Sequence, residues 1–164
     1  MTRFEAEARL GKIFHLEKFY DDQWATIARL FYGERVLLIE KTGFGKSLCY
    51  QFPATQFDGL TVIFSPLIAL MRDQVSYLAS LGIAAACVNS EQDTEENDRI
   101  LDQAKNGRLK ILYIAPERQE NEQWLEAIYH SHANTTISHS LLSGDWTSRP
   151  GRKTDTAVFI VPAG

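Results

Sequence analysis

Arg35-Val-Leu-Leu-Ile-Glu-Lys-Thr-Gly-Phe-Gly-Lys-Ser-Leu-Cys49 is the stretch that decides the fold. Val36 to Ile39 has the length and β-branching of a buried strand. It breaks into a turn holding Gly43 and Gly45, and Lys46-Ser47 then opens a segment that can be helical. Strand, glycine turn, Lys-Ser, helix is the layout of a phosphate-binding loop. The glycines let the backbone curl so that successive N–H groups converge on one anion. The helix adds the positive end of its dipole. In such a loop Lys46 reaches the β- and γ-phosphates and the Ser47 hydroxyl ligates Mg²⁺. The longer form of the loop needs glycine at position 40, where Glu40 stands, so the pattern here is the shorter Thr42-Gly43-Phe44-Gly45-Lys46-Ser47. An ordinary glycine turn with a surface lysine is the competing reading; the flanking strand and helix argue against it.

Composition bounds what such a site can serve. The chain has 164 residues, 45% of them hydrophobic, which suits one domain with a core. Its formal net charge is −4, so no global basic field holds nucleic acid, and any such contact must come from a local patch or from backbone amides. Cys49 and Cys87 lack metal-ligand spacing and suit a reducing compartment. Glu5 and Glu7 interrupt the apolar residues of the N-terminus, and no apolar run approaches the ~20 residues of a membrane span. The expectation is a cytoplasmic protein with no membrane partner.

Outward from the loop, apolar residues recur at helical spacing over 4–14 and 21–32, and Gly33 ends the second of these helices. Lys46 to Gln56 reads as a helix that Pro53 interrupts or kinks. Leu60–Phe64 is a second strand; Ser65 caps, and Pro66 opens, a helix running from Leu67 to about Leu81. Ile83–Val88 is a third strand, Asp93–Asn106 a polar helix closed by Gly107, and Lys110–Ala115 a fourth strand. Strands alternating with helices predict an α/β fold, a three-layer parallel sheet with helices on both faces. Ligands of such sheets sit beyond the carboxyl ends of the strands, where Thr42–Ser47, Ser65-Pro66, Asn89-Ser90 and Ala115–Arg118 fall.

Five pieces carry a family resemblance: Phe14-x4-Phe19-x3-Gln23, Thr42-Gly-Phe-Gly-Lys-Ser-Leu-Cys-Tyr-Gln51, Ser65-Pro-Leu-Ile-Ala-Leu-Met-Arg-Asp-Gln-Val75, Asn89-Ser90 and Tyr113-Ile-Ala-Pro-Glu-Arg118. In this order and spacing they resemble the first RecA-like domain of RecQ-type DNA helicases, over roughly residues 10–127. The resemblance implies a RecA-like P-loop domain, ATP and Mg²⁺ as cofactors, and DNA (single-stranded or a duplex junction) as partner. It also implies unwinding, typically 3′ to 5′. It gives Gln23 the reading of adenine, since a side-chain amide pairs two-pronged with the N6/N7 edge. Residues Thr42, Gly43, Phe44, Gly45, Lys46 and Ser47 take the phosphates. Where the family has an aromatic residue and an arginine, this chain has Leu16 and Tyr20; the adenine stack is altered, and Tyr20 can supply it. Ser65 and Pro66 match a segment that grips the DNA backbone, and Asn89 and Arg118 line the same edge. Arg72 and Arg118 contact DNA or else sit in a solvated face or a surface salt bridge.

After residue 127 the pattern stops. The family places there a central strand ending in Asp-Glu-Ala-His, whose carboxylates hold Mg²⁺ through water and position the attacking water. No Asp-Glu pair occurs in this sequence. Residues 1–127 are therefore expected to form an incomplete RecA-like ATP-binding domain, with 128–164 a divergent tail from a truncated, frameshifted or wrongly called frame. His130, His132 and His139 lack the cysteine or carboxylate neighbours of a metal site and read as part of a polar, disordered tail. Thr156–Val161 has strand composition and either fills the vacant place in the sheet or is an exposed apolar terminus. With neither acids, arginine finger nor second RecA-like domain, the chain is expected not to unwind DNA alone. It is either the ATP- and DNA-binding portion of a RecQ-like helicase or a regulatory module whose partner supplies the second RecA-like domain. A third possibility is that it never folds stably.

Overall fold

The computed structural model describes residues 1–34, 36–40, 45–115, 135–139 and 156–162. In chain order these form α1 (Arg3–Phe14), α2 (Asp21–Phe31), β1 (Val36–Glu40), α3 (Leu48–Gln56), β2 (Thr61–Phe64), α4 (Ile68–Ser80), β3 (Ala85–Val88), α5 (Thr94–Lys105), β4 (Ile111–Ile114), β5 (Thr135–His139) and β6 (Thr156–Pro162). The expected helix near Glu122–Ala127 lies outside the described residues.

All six strands run parallel in one sheet, in the order β1-β6-β5-β2-β4-β3. Alternate residues of the inner strands feed two cores. Ile63, Ile111 and Tyr113 join the larger one, with residues of α1 to α4. Val62, Phe64, Leu112 and Ile114 face the other, closed by Ile100, Leu101 and Ala104 of α5. Burial on both faces explains why β2 and β4 are continuous apolar runs rather than alternating ones. The fold is the three-layer α/β arrangement the sequence predicts.

β1 and β2 are not neighbours; β6 and β5 lie between them. With strands ~4.8 Å apart, the gap they fill is roughly 14 Å. Val36 pairs with Val158 and Leu38 with Ile160 on one side of β6, and Ile160 pairs with His139 on the other. Thr156–Pro162 thus takes the vacant place in the sheet. Thr135–His139, read from sequence as polar tail, is a strand too. The β-branched run Thr135-Thr136-Ile137 was the signal, masked by the surrounding Ser and His. The anticipated division after residue 127 falls outside the described residues, and both later strands lie in the same sheet as the first four.

Two local expectations change. Pro53 does not interrupt α3: the helix continues to Gln56, and Phe57 N donates to Pro53 O at 3.0 Å. Ser65 is not the cap of α4, whose N-cap is Leu67 without a side-chain bond. Pro66 therefore lies outside the helix rather than in its first turn.

Candidate nucleotide and nucleic-acid site

Because the sheet is parallel, Glu40, Phe64, Val88 and Ile114 end at one edge. Register puts Phe64, Ile114 and Val88 level. Ser65 N donates to Ile114 O (3.0 Å) and Ala115 N to Val88 O (3.1 Å), so the loops leave the sheet side by side.

Between β1 and α3, Gly45, Lys46 and Ser47 are described, whereas Thr42, Gly43 and Phe44 lie outside the described residues. Gly45 has φ +79°, the left-handed region that L side chains avoid. The carbonyls of Gly45, Lys46 and Ser47 accept from Leu48 N (3.0 Å), Cys49 N (3.1 Å) and Gln51 N (2.9 Å), which winds the chain straight into α3. Lys46 and Ser47 are half-buried at its N-terminal end, where the helix dipole favours an anion. The Ser47 side chain does not cap its own helix.

Gln23 reaches this turn from α2. It is 4% exposed, and a Cβ built on Gly45 would lie 2.7 Å from its Nε2. Its Oε1 accepts from Tyr20 N at 3.0 Å, which ties the amide to the entry of α2. Aromatic packing explains why α2 stands there. Phe52 of α3 is met edge-on by Phe19 (centroids 5.0 Å apart) and Phe31 (6.3 Å), and by Phe14 at 6.3 Å. Each such pair adds about 0.5–1.5 kcal/mol beyond its buried area. The linker between α1 and α2 is pinned by Arg3, which pairs with Glu7 (2.9 Å) and Asp21 (2.7 Å) and donates to Phe19 O (2.8 Å). Tyr20 remains 67% exposed beside Gln23.

These residues fit a nucleotide. A glycine held at positive φ against an amide, a lysine and a helix N-terminus are the groups a phosphate cradle needs, with a side-chain amide beside them. Ser47 offers one hydroxyl to a Mg²⁺ ion. Among the described residues, no central strand carries the acids the family places there. β5 ends in Ser138-His139 and β6 in Val161-Pro162, followed in sequence by Ser140 and Ala163.

Farther along the edge, Ser65 is buried and its hydroxyl has no partner among the described residues, while Pro66 is exposed. Arg72, half-exposed on α4, pairs with Glu91 at 2.8 Å. Asn89 is fully buried: its Nδ2 donates to Gln92 Oε1 (2.8 Å), its Oδ1 accepts from Glu91 N (3.0 Å), and its carbonyl accepts from Asn97 Nδ2 (3.1 Å). Its side chain is spent on shaping the loop after β3. Burial pushes the neighbouring Cys87 thiol up, against the Asn89 hydrogen bond and the Arg72 charge. Arg118 lies outside the described residues. The structure thus gathers Gln23, Tyr20, Gly45, Lys46 and Ser47 at one place, with Ser65, Pro66, Arg72 and Asn89 along the next loops. Absent from the expected site were Gln51, Gln74 and Tyr113: Gln51 Nε2 donates to the Tyr113 hydroxyl at 3.0 Å and to Gln74 Oε1 at 2.5 Å. Their signal in sequence was polar groups on otherwise apolar, core-facing elements.

A parallel α/β domain with a glycine turn and Lys-Ser at the head of a helix has the layout of a P-loop fold. The DEAD/DEAH box helicase family matches residues 20–145, and the chain belongs to that family. It is similar to the ATP-dependent DNA helicase RecQ of Haemophilus influenzae, 40% identical over 122 residues that cover 74% of this chain and 20% of that one. It is equally similar to RecQ of Bacillus subtilis, 40% identical over 124 residues, 75% of this chain and 21% of that one. The chain therefore spans about a fifth of the length of these curated relatives. In fold it is similar to a hypothetical ATP-dependent RNA helicase from Sulfolobus tokodaii (TM-score 0.68, 17% identity, 95% of this chain and 50% of that one). No helix among the described residues is long and apolar enough to cross a membrane.

Proposed function

We propose that this chain is the ATP- and DNA-binding N-terminal portion of a RecQ-like 3′–5′ helicase, and that the 164-residue polypeptide by itself holds nucleotide without turning it over. The observation that carries this reading is Gln23 seated against Gly45 at the mouth of α3, because it joins a base-reading amide to a phosphate cradle. Gln23 and Tyr20 would hold adenine. Thr42, Gly43, Phe44, Gly45 and Lys46 would surround the phosphates, and Ser47 would ligate Mg²⁺. Bound Mg·ATP supplies the cleavable phosphoanhydride and the charge that neutralises it as it breaks. Ser65 and Pro66 would take DNA phosphates, Arg72 exchanging its Glu91 partner for one. Asn89 would hold the neighbouring loop in shape, and Arg118 would brace the same edge. Cys49 and Cys87, both buried and not joined in a disulfide, suit a reducing cytoplasm.

Turnover in this class depends on positioning and on charge stabilisation, to which an arginine finger alone contributes ~10³–10⁵ in rate. Neither central strand carries the metal-holding acids, so hydrolysis should stay near background. The finger and the second RecA-like unit come from outside these residues, as further chain or as a partner subunit. Phosphate release from ATP, measured with and without single-stranded DNA at micromolar protein, tests this directly. Background rates are expected. DNA-stimulated turnover that disappears in Lys46→Ala would overturn the claim of inactivity.

A further inference from the structure

The first turn of α1 grips the loop that carries Tyr20 and Gln23. Thr2 and Glu5 start the helix with a capping box, Thr2 N donating to Glu5 Oε2 at 2.7 Å and Glu5 N to Thr2 Oγ1 at 3.3 Å. Ala6, Leu10 and Phe14 bury one stripe of α1, and Arg3 and Glu7, one turn apart, share a neighbouring stripe. His15 at φ +57° ends the helix, and the chain returns so that Phe19 lies beside Arg3. The ion pair holds both backbone polar groups of Phe19: Glu7 Oε1 accepts from Phe19 N (3.3 Å), and Arg3 Nη2 donates to Phe19 O (2.8 Å). Arg3 Nε ties the two side chains together at 2.9 Å from Glu7 Oε1. Phe19 O and Tyr20 N belong to one planar trans peptide. The N–H of that peptide donates to Gln23 Oε1 at 3.0 Å. A backbone N–H bonds only the oxygen end of an amide, so this contact turns Gln23 Nε2 the other way, to where a Cβ on Gly45 would lie 2.7 Å from it.

We infer that the Arg3–Glu7 pair sets the base preference of the nucleotide site, by fixing the peptide between Phe19 and Tyr20 and with it the direction of the Gln23 amide. This rests on the function proposed above, in which Gln23 reads adenine. If that peptide rotates, its N–H leaves Gln23 Oε1, and the amide loses the contact that tells its two ends apart. A reversed amide offers a donor to the adenine N6 amino group and an acceptor to N7, and the two-pronged match is lost. Guanine carries two acceptors on the same edge and gains nothing from the ordered amide. A guanidinium suits the task because its fork serves Phe19 O, Glu7 and Asp21 at once. The Asp21 side chain is 91% exposed, so that pair adds little, and the weight falls on the charged hydrogen bond to Phe19 O. Arg3 and Glu7 stand ahead of residue 20, where the family match begins, so the clamp belongs to this chain's own first helix. Both are positioning residues, and only Gln23 would touch the base.

The test is displacement of a fluorescent ATP analogue, with Mg²⁺ present, by ATP, GTP and inorganic tripolyphosphate from the native chain, Arg3→Met and Glu7→Gln. The native chain should prefer ATP over GTP by about 10-fold or more. Arg3→Met should cut that preference by about 3-fold or more, the scale of one lost charge-assisted hydrogen bond, and should do so by weakening ATP. GTP and tripolyphosphate, which make no use of the amide's direction, should stay within about 2-fold of native. A loosened fold would weaken all three together, so the ratio separates positioning from stability. Thermal melts report folding; should Arg3→Met fail to fold, Glu7→Gln decides by the same ratio, since it keeps an acceptor for Phe19 N but removes the charge that holds Arg3. A folded variant that keeps the native preference, or weakens all three ligands alike, would overturn the clamp and leave Gln23 and the phosphate site standing. A native chain that binds nucleotide with no preference for ATP would take base reading from Gln23, and the clamp would fall with it. Failure of the native chain to bind any of the three would sink the site itself.

Discussion

The amide of Gln23 lies where a side chain on residue 45 would have to be: a Cβ on Gly45 would come within 2.7 Å of Gln23 Nε2. Gly45 also holds φ +79°. Gly45→Ala is therefore expected to cost about 1–2 kcal/mol in backbone strain, read as a lower melting temperature. It also pushes the Gln23 amide off the turn, so ATP-analogue affinity should fall further than the melt alone would suggest. Native affinity in a folded Gly45→Ala protein would mean that the contact has no part in binding.

Gln23→Glu separates the two roles of that side chain. Glutamate at the third helical position accepts from Tyr20 N as glutamine does, so the cap is kept and the melting temperature should fall only by the cost of placing a carboxylate at a buried position. The amide donor is lost, and with it the two-pronged match to adenine. Competition of ATP and GTP against a fluorescent nucleotide should show a preference for ATP of about 10-fold or more in the native chain, corresponding to the 1–3 kcal/mol of a bidentate contact, and near-equality in the variant. An unchanged preference would take base reading away from Gln23.

Burial raises the pKa of both Tyr50 and Tyr113 above the ordinary tyrosine value of 10.0. The folded state then holds protons that the unfolded chain would release. Stability is fully present below about pH 10 and falls as pH climbs above it. Absorbance at the phenolate band should show the two buried phenols ionising only as the fold is lost. A single smooth titration of every tyrosine at constant helicity would contradict their burial.

Val158 of β6 pairs with Val36 of β1 and with Ile137 of β5. Proline at 158 removes a ladder N–H from the middle of the sheet, leaving a carbonyl unpaired at about 1–3 kcal/mol. Val158→Pro should therefore lower the melting temperature by several degrees or abolish the cooperative transition. If the melt is unmoved, residues 156–162 are not a strand in the folded protein.

Sequence carried the first four strands and five helices because each has a strong local signature. Gly33 and Gly107 stand at positive φ after α2 and α5, where they were expected to end helices. Local rules failed where tertiary contacts decide. Pro53 stays helical because Phe52 beside it is locked among Phe14, Phe19 and Phe31. Thr135–His139 becomes a strand because a two-strand gap between β1 and β2 must be filled, a demand visible only once the order of strands is known. At the site, Gln23, Gly45, Lys46 and Ser47 were legible through the spacing of their motifs. The Tyr113–Gln51–Gln74 cluster was not, since it joins three elements that only folding brings together.

Titration of a fluorescent ATP analogue in Mg²⁺ into the native chain and Lys46→Ala is the most direct measurement of all. Saturable binding is expected in the native chain, weakened about 10-fold or more by the substitution, since a charge-assisted contact to phosphate is worth at least 1.4 kcal/mol. The melting temperature of the half-buried Lys46 variant should stay close to native. No saturable binding by the native chain up to millimolar nucleotide, or equal binding by both proteins, would contradict the assignment of a phosphate cradle to Gly45, Lys46 and Ser47.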